Sequence, residues 1–237
     1  MPMPKKIFLT FDDGPGPKTV EIAELLNHLG VKATFFMLGH KAEIMPGAAK
    51  RVAELGHEIG VHGYEHKFLP TASLREQVQE IRTATYILAK ITGKVPRVYR
   101  AAYGRLSPES IEILKRALSE RTRLRHVDWS YDTLDWQKVA QGKRFDPKEI
   151  VKKAKAGDVI LFHDGAVGKY EAQAGERGGN LLRALPDIVA GLKARGMEFE
   201  PIEKRFQSGQ RLKYKLRCLA KEIRAKIEGY SKRRRRR

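Results

Sequence analysis

The strongest constraint on the fold is an alternation of short apolar segments with amphipathic segments along most of the chain. Seven apolar segments predict β-strands, since they are short and rich in β-branched or aromatic residues. They cover residues 5–11, 32–38, 57–62, 98–99, 124–129, 158–162 and about 197–202. Segments with helical spacing lie between them. This order is typical of parallel strands joined by helical crossovers, so the sequence predicts an α/β fold.

The predicted helices follow from apolar spacing and from capping residues. A Ser followed by Pro at residues 107–108 and an Asp-Pro pair at 146–147 are typical helix starts. Pro46 is expected to begin or bend one helix. A glycine-rich loop is predicted over residues 165–179. The predicted helices cover 17–29, 41–55, 73–92, a segment starting at 107, 146–155 and about 180–194.

Composition narrows the class of protein. The chain has 237 residues with 41% hydrophobic content, enough for one large α/β domain. The single cysteine, Cys218, excludes an intrachain disulfide and fits a reducing compartment. No apolar segment approaches the roughly 18–20 residues of a membrane span. The N-terminus has no apolar segment of the kind found in signal peptides, so we expect a cytoplasmic protein.

The basic charge is concentrated at the C-terminus. The chain has a net charge of +19, and residues 207–237 carry 13 Lys or Arg against two Glu. Apolar residues recur there every three or four positions from Leu212 to Tyr230, which predicts a basic amphipathic helix. We therefore predict two regions, a catalytic domain over residues 1–206 and a basic tail over 207–237.

The first predicted strand ends in Thr10-Phe11-Asp12-Asp13-Gly14-Pro15. The carboxyl ends of the strands carry the active site in βα barrels, so both carboxylates are placed where chemistry occurs. Two adjacent carboxylates resist joint ionisation unless a cation or a proton lies between them. The alternative is a simple turn with a helix cap, since Asp, Gly and Pro all favour turns.

A second polar cluster, His62-Gly63-Tyr64-Glu65-His66, follows the third predicted strand. Two histidines four residues apart can bind one face of a metal ion. With Asp13 they form the two-histidine, one-carboxylate set of a catalytic metal with open positions. Asp12 then remains beside the metal as a candidate base. Two surface or capping histidines are the alternative.

Three further clusters follow later strands. Arg100, in Arg100-Ala101-Ala102-Tyr103-Gly104, could pair with Asp12 and orient it. Asp135, in the DTLDW segment that begins at residue 132, could orient His163 in the LFHD segment that begins at residue 161. Each cluster alone is weak, because surface Arg, Asp and His are common. Five such clusters at predicted strand ends indicate one shared site.

The ordered set TFDDGP, HGYEH, RAAYG, DTLDW and LFHD resembles the five motifs of the NodB-homology polysaccharide deacetylases, carbohydrate esterase family four. The resemblance covers about residues 5–203. It implies a distorted, TIM-like (β/α)7 barrel, here with a basic C-terminal helical tail. It also implies a divalent metal, usually zinc, with cobalt, manganese or nickel as alternatives.

The resemblance implies a role for each motif residue. Asp13, His62 and His66 would be the metal ligands. Asp12 would be the catalytic base with Arg100 as its partner, and His163 the catalytic acid with Asp135 tuning it. The Tyr103 backbone N–H would help to hold the oxyanion, while Trp136 and Leu161 would wall the acetyl methyl pocket. The chain departs from the family at Gly63, usually Ser or Thr, and at Ala102, usually Pro, which affects loop rigidity.

The expected reaction is metal-dependent hydrolysis of N-acetyl groups on an oligo- or polysaccharide, with release of acetate. An intracellular or lipid-linked glycan fits the expected cytoplasmic location, and the basic tail is expected to lie on the anionic inner membrane. Alternatives are an O-acetyl esterase or an amino-sugar deformylase on the same site. Nucleic-acid binding by the tail is less favoured, and no specific nucleic acid is expected. The sequence does not indicate the oligomeric state.

Overall fold

The structure is a computed structural model, and it describes residues 5–106, 124–143 and 146–207 of the chain. Within these ranges the strands are β1 (Lys5–Gly14), β2 (Thr34–Met37), β3 (Glu58–Val61), β4 (Val98–Tyr99), β5 (Arg125–His126), β6 (Tyr131–Asp132), β7 (Val159–His163) and β8 (Met197–Phe199). The helices are α1 (Thr19–His28), α2 (Gly39–Ile44), α3 (Pro46–Glu54), α4 (Leu74–Thr92), α5 (Asp135–Ala140), α6 (Pro147–Lys153), α7 (Ala174–Ala194) and α8 (Ile202–Gln207).

All strand pairs are parallel, and the sheet runs in the order β5-β4-β3-β2-β1-β7-β6. The eighth strand, β8, pairs with the first residues of β1, from Lys5 to Ile7. The two edge strands, β5 and β6, follow each other directly in the chain. The sheet therefore curls into an incompletely closed barrel, which confirms the predicted distorted (β/α)7 fold.

Alternation along β1 separates two apolar layers. Ile7, Leu9 and Phe11 are fully buried in the large core between sheet and helices. Phe8 belongs to a smaller cluster inside the barrel, which also contains Phe36, Val98, Val127, Val159 and Ile202. Because Ile202 begins α8, this helix closes the barrel at the amino ends of the strands. The opposite end, where the carboxyl ends of the strands meet, remains open.

Capping residues and prolines in the sequence lie at helix boundaries in the structure. Ser73 and Glu76 form a reciprocal capping box at the start of α4, and Gly93 ends this helix in a left-handed conformation. Pro46 separates α2 from α3. The Asp146 side chain accepts a hydrogen bond from the Lys148 N–H at the start of α6. The helix predicted from residue 107 and the tail predicted from 207 lie outside the described residues, apart from Gln207 itself.

The predicted strand over residues 124–129 is wrong in extent. Only Arg125–His126 pair as β5, and a further strand, β6, forms at Tyr131–Asp132. The segment between them crosses the gap in the barrel. The Val127 N–H donates to the Tyr99 carbonyl at 2.8 Å, and the Ser130 N–H donates to the Val159 carbonyl at 3.0 Å. This backbone thus bonds to both sides of the gap.

The predicted loop over residues 165–179 is also wrong in part, because α7 begins at Ala174. Gly178 lies inside this helix, and a Cβ on it would stand 2.4 Å from Cβ of Lys18. Glycine here permits close packing and does not end the helix. Helices α5 and α8 were not predicted, and the last predicted strand is shorter than expected. In the described part of the chain, no helix is long and apolar enough to cross a membrane.

Candidate active site

Asp12 and Asp13 stand at the carboxyl end of β1 and project to different sides. Asp12 shares the inward face of β1 with Phe8 and Thr10, as the two-residue period of a strand requires. The pairing of β1 with β7 places Asp12 opposite His163. Asp13 has φ +69°, a left-handed conformation that is uncommon outside glycine. This backbone turn separates the two carboxylates and gives each a different set of neighbours.

Asp13, His62 and His66 form a compact cluster of possible metal ligands. One ligand atom from each residue lies within 4.8 Å of the other two. Nε2 of His62 is 3.3 Å and Nε2 of His66 is 3.2 Å from the same Asp13 oxygen, Oδ1. Nδ1 of His62 lies 2.9 Å from the Arg100 carbonyl, which directs Nε2 towards Asp13. A second-sphere bond of this kind is typical of metal-binding histidines.

The electrostatics of this cluster favour a carboxylate and a cation. Burial by itself raises the pKa of Asp13, but the close approach of the His62 and His66 imidazoles outweighs burial and holds the pKa of Asp13 well below its ordinary value. Burial lowers the pKa of His62, whereas the charges of Asp12 and Asp13 raise it, with a net increase. All three side chains are at most 8% exposed. A divalent cation would replace the histidine protons as the partner of the Asp13 carboxylate.

The loop between the two histidines is fixed from below by Glu80 on α4. Its Oε1 accepts the Tyr64 N–H at 3.0 Å and the Glu65 N–H at 2.6 Å. Gly63 has φ +93°, which glycine adopts without strain. Glu80 therefore supports the loop that a Ser or Thr at position 63 was expected to support.

Arg100, at the end of β4, is fully buried beneath Asp12. Its Nη1 donates to Asp12 Oδ1 at 2.7 Å and to Thr10 Oγ1 at 2.9 Å. Its guanidinium also lies 4.2 Å from the centroid of the Phe36 ring. Charge-assisted bonds of this length fix the carboxylate orientation. The second oxygen, Oδ2, lies 3.7 Å from His62 Nε2, on the side of the ligand cluster.

His163 ends β7 on the other side of Asp12. The buried carboxylate of Asp135, at the start of α5, lies 2.8 Å from His163 Nδ1 and accepts the His163 N–H at 2.8 Å. Burial lowers the pKa of His163, but the charge and hydrogen bond of Asp135 raise it to about 9. The imidazole is therefore held in its protonated form at neutral pH, with Nε2 left for other contacts.

A cleft of about 410 Å³ at the open end of the barrel is lined by Asp12, Asp13, His62, His66 and His163. Tyr103, Trp136 and Leu161 lie in its wall, as expected for substrate-contacting residues. Tyr103 has φ +60°, a strained conformation for a bulky residue, which often marks functional sites. A larger groove of about 500 Å³ lies at the amino ends of β3 and β4. In the described residues that groove contains no cluster of three metal-ligating side chains, so the cleft is the better candidate.

Sequence reasoning missed two buried cations beside Asp13. Lys41 Nζ donates to the Asp13 carbonyl at 3.2 Å and to the Ala166 carbonyl. Arg177 Nη1 donates to the Gly165 carbonyl at 2.8 Å and lies 3.9 Å from Asp13 Oδ2. Both link the loop after β1 to the loop after β7. A Cβ on Gly165 would stand 2.0 Å from the Asp13 carbonyl oxygen, so only glycine permits this approach.

Sequence gave different signals for these two residues. Arg177 lies in the segment predicted as a glycine-rich loop over 165–179, and it lines the cleft together with Val167 and Tyr170. Nothing in the sequence around Lys41 distinguishes it from a surface lysine of an amphipathic helix. Trp129 also lines the cleft and was not predicted to do so, whereas Asp132 lines it as part of the predicted DTLDW cluster.

Comparison with known proteins supports the interpretation of the motifs. A model of the polysaccharide deacetylase family matches residues 2–119. A chitooligosaccharide deacetylase from Azorhizobium caulinodans is 34% identical over 200 residues, which cover 83% of this chain and 92% of that protein. A peptidoglycan-N-acetylglucosamine deacetylase from Bacillus cereus is 33% identical over 201 residues, covering 83% and 68%.

A solved structure gives the same result for the fold. The crystal structure of the Bc1960 peptidoglycan N-acetylglucosamine deacetylase matches with a TM-score of 0.74 and 32% identity, covering 87% of this chain and 90% of that one. Sequence relatives and fold therefore agree with the five motifs at the open end of the barrel. The chain belongs to the polysaccharide deacetylase family, the NodB-homology carbohydrate esterases of family four.

Proposed function

We propose that this protein is a metal-dependent hydrolase that removes N-acetyl groups from amino sugars of an oligo- or polysaccharide and releases acetate. One observation carries the proposal: Asp12 and His163 stand opposite each other on neighbouring strands, beside the three-ligand cluster. A base and an acid on two sides of one cleft are what amide hydrolysis requires. Family membership gives the same reaction class.

The donor set fits a divalent metal. Two histidine nitrogens and one carboxylate form a common catalytic zinc set that leaves positions open, and Asp13 Oδ1 is buried with no hydrogen bond of good geometry in the described residues. We propose that Asp13, His62 and His66 hold zinc, with cobalt, manganese or nickel as alternatives. A metal bound there would polarise the acetyl carbonyl and favour hydroxide near neutral pH.

In this proposal Asp12 is the base. It accepts the proton of the water that attacks the carbonyl carbon of the N-acetyl group. Arg100 fixes one carboxylate oxygen at 2.7 Å, so the other is directed towards the ligand cluster. The barrel interior below Asp12 and Arg100 is apolar, so water is excluded from this ion pair and the Asp12 carboxylate keeps a defined orientation.

His163 is the proposed acid. It donates its Nε2 proton to the departing nitrogen, since an amide does not release its nitrogen unprotonated. Asp135 holds Nδ1 and so leaves Nε2 to face the cleft. The Tyr103 N–H is the proposed donor to the oxyanion, and Trp136 and Leu161 the proposed walls of the methyl pocket. Both wall residues line the same cleft as His163.

The test is acetate release from N-acetylglucosamine oligomers by protein stripped with a chelator and then given zinc or cobalt. Activity should return with metal. Asp12→Asn should lower kcat by about 10²- to 10⁴-fold, the range for loss of a general base, while bound zinc measured by atomic absorption stays at the wild-type level. Retained activity in this variant would overturn the role of Asp12.

Release of acetate from O-acetylated but not N-acetylated sugars would favour an esterase, and release of formate from N-formyl sugars would favour a deformylase.

We also propose that residues 207–237 form a basic region separate from the catalytic domain that binds an anionic membrane surface. Its 13 Lys or Arg support this, because each basic side chain near such a surface contributes roughly 1 kcal/mol. An intracellular or lipid-linked glycan at the cytoplasmic face is the matching substrate proposal. Equal binding of anionic vesicles by the full chain and by a chain ending at about residue 206 would contradict this role.

A further inference from the structure

Two exposed aromatic rings extend outward from the ligand cluster. Tyr103 is 56% exposed and Phe68 is 43% exposed. The ring of His66 lies 4.5 Å from the Tyr103 ring, and the Tyr103 ring lies 5.8 Å from the Phe68 ring, all between centroids. We call His66, Tyr103 and Phe68 the aromatic strip. It runs without interruption from a candidate metal ligand to the protein surface.

The position of Phe68 is fixed by the turn that follows it. Leu69 is 3% exposed and belongs to the main core, so the chain is held immediately after Phe68. The Phe68 carbonyl accepts bonds from the Thr71 N–H at 3.4 Å and from Thr71 Oγ1 at 3.2 Å. The ring is therefore presented outward by an ordered turn.

The surroundings of the aromatic strip suit a sugar. Polar groups flank Phe68: Lys67 Nζ lies 3.3 Å from a Glu65 carboxylate oxygen, and both side chains are about half exposed. Pyranose rings present an apolar C–H face, which packs on aromatic rings, and a rim of hydroxyls, which bonds to charged groups. Across the cleft a second aromatic pair, Trp136 and Tyr170, lies with ring centroids 5.9 Å apart.

We propose that Phe68 and Tyr103 form an outer sugar-binding subsite, which stacks on the sugar next to the one that is deacetylated. The inference rests on the proposed function and deepens it, because it assigns Phe68 to recognition of the neighbouring sugar in the oligo- or polysaccharide. The acetylated sugar occupies the cleft beside His163, and its neighbour lies over the aromatic strip. Longer oligomers then gain binding energy outside the reacting centre.

The experiment compares zinc-loaded wild type, Phe68→Ala and Tyr86→Ala on N-acetylglucosamine and its oligomers up to the pentamer. Tyr86 is the matched control, since it is an aromatic residue 68% exposed on α4 with no place in the cleft. The readout is the ratio of kcat/KM for the pentamer to that for the monosaccharide. We expect Phe68→Ala to lower this ratio roughly tenfold, chiefly through KM, as loss of one aromatic stacking contact implies. Tyr86→Ala should keep the wild-type ratio.

A second measurement separates this inference from the proposed reaction. Isothermal titration of the pentamer into the same three proteins, each carrying Asp12→Asn as well, reports binding with turnover suppressed. Weaker binding by Phe68→Ala alone supports the subsite even if wild type releases no acetate, which would overturn only the deacetylase proposal. Acetate release with a ratio and an affinity unchanged in Phe68→Ala overturns the subsite alone. An equal loss on the monosaccharide and on the oligomers also overturns it, because the subsite can act only where a neighbouring sugar is present.

Discussion

The two ends of the barrel each bury an arginine against an aromatic ring, yet only one end is arranged for chemistry. At the open end Arg100 lies 4.2 Å from the Phe36 centroid and donates to the Asp12 carboxylate at 2.7 Å. At the closed end Arg205 of α8 lies 5.1 Å from the Phe8 centroid and donates to the Gly157 carbonyl at 3.0 Å. The difference lies in the acceptor. Arg100 orients a titratable group that faces a cleft, whereas Arg205 binds backbone and completes a core.

Two buried histidines repeat this contrast. His163 at the open end faces the Asp135 carboxylate, and its pKa is raised to about 9. His57 at the closed end is 5% exposed, with Nε2 2.9 Å from the Ala23 carbonyl and Nδ1 accepting the Ala33 N–H at 3.2 Å. Burial lowers its pKa to about 4. The comparison teaches that a buried polar residue is a candidate for catalysis when its partner is charged and the cleft is beside it.

Removal of Arg100 should have the largest effect. Arg100→Met leaves the Asp12 carboxylate buried without its ion-pair partner, which costs about 3–5 kcal/mol of unfolding free energy. Urea denaturation measures this cost, and acetate release should be lost as well. Arg100→Lys keeps the charge, so its free energy of unfolding should lie between those of wild type and Arg100→Met. If Arg100→Met were as stable as wild type, the claim that Arg100 stabilises the buried Asp12 carboxylate would be wrong.

His57 should make stability depend on pH at the closed end. Its folded pKa of about 4 is below the unfolded value of 6.5, so the unfolded chain binds more protons between these values. The free energy of unfolding should therefore fall by roughly 3 kcal/mol as pH drops from 6.5 to 4. Denaturation of wild type and His57→Gln at several pH values isolates this effect. The difference between them should narrow towards pH 4, and a constant difference would contradict the assignment.

Removal of Arg205 should affect stability without affecting catalysis. Arg205→Met keeps an apolar side chain near Phe8 but loses the bond to Gly157, a cost of about 1–3 kcal/mol. Thermal unfolding measures the loss, and kcat for acetate release at a temperature well below unfolding should equal that of wild type. A lowered kcat would show that the two ends of the barrel are coupled and would weaken the contrast between Arg100 and Arg205.

The smallest effect should be a shift in the pH profile at the open end. Protonated His163 is the proposed acid, so kcat/KM should fall as pH rises through its pKa. Asp135→Asn removes the charge that raises this pKa. The alkaline limb should then move down by about one pH unit, equivalent to roughly 1.4 kcal/mol. Arg205→Met serves as the control, because its kcat/KM should fall at the same alkaline pH as in wild type. An alkaline limb of Asp135→Asn that coincides with that of wild type would contradict the role of Asp135.

The sequence could predict the site well because the chemistry lies at strand ends. Once β1 is predicted to stop near Asp12, every cluster after a parallel strand falls at the same edge of the barrel. Asp13, His62 and His66 meet there as the spacing indicated. The contact of Arg100 with Asp12 depends only on two strand positions and on the inward direction of both side chains, and it was found as predicted.

The remaining features depend on packing, which a single sequence does not reveal. Glycines 175, 178 and 179 suggested a loop, but Gly178 permits close packing of α7 on Lys18. The strand predicted over 124–129 is not continuous, because its backbone forms hydrogen bonds to strands on both sides of the barrel gap. Lys41 is buried because the loops after β1 and β7 lie close together, and its ammonium donates to a carbonyl group from each side, Asp13 and Ala166. Each of these outcomes is set by neighbours far away in the chain.

The place where the chain leaves the domain gives α8 a consequence beyond stability. The Ile202 N–H donates to Thr34 Oγ1 and the Glu203 N–H to Glu58 Oε2, so this helix is seated on the starts of β2 and β3. The last helix of the described chain therefore lies on the side of the barrel opposite the cleft. The end of the barrel that carries the cleft is therefore not the end at which the described part of the chain stops, so α8 can be altered or labelled without contact with the cleft.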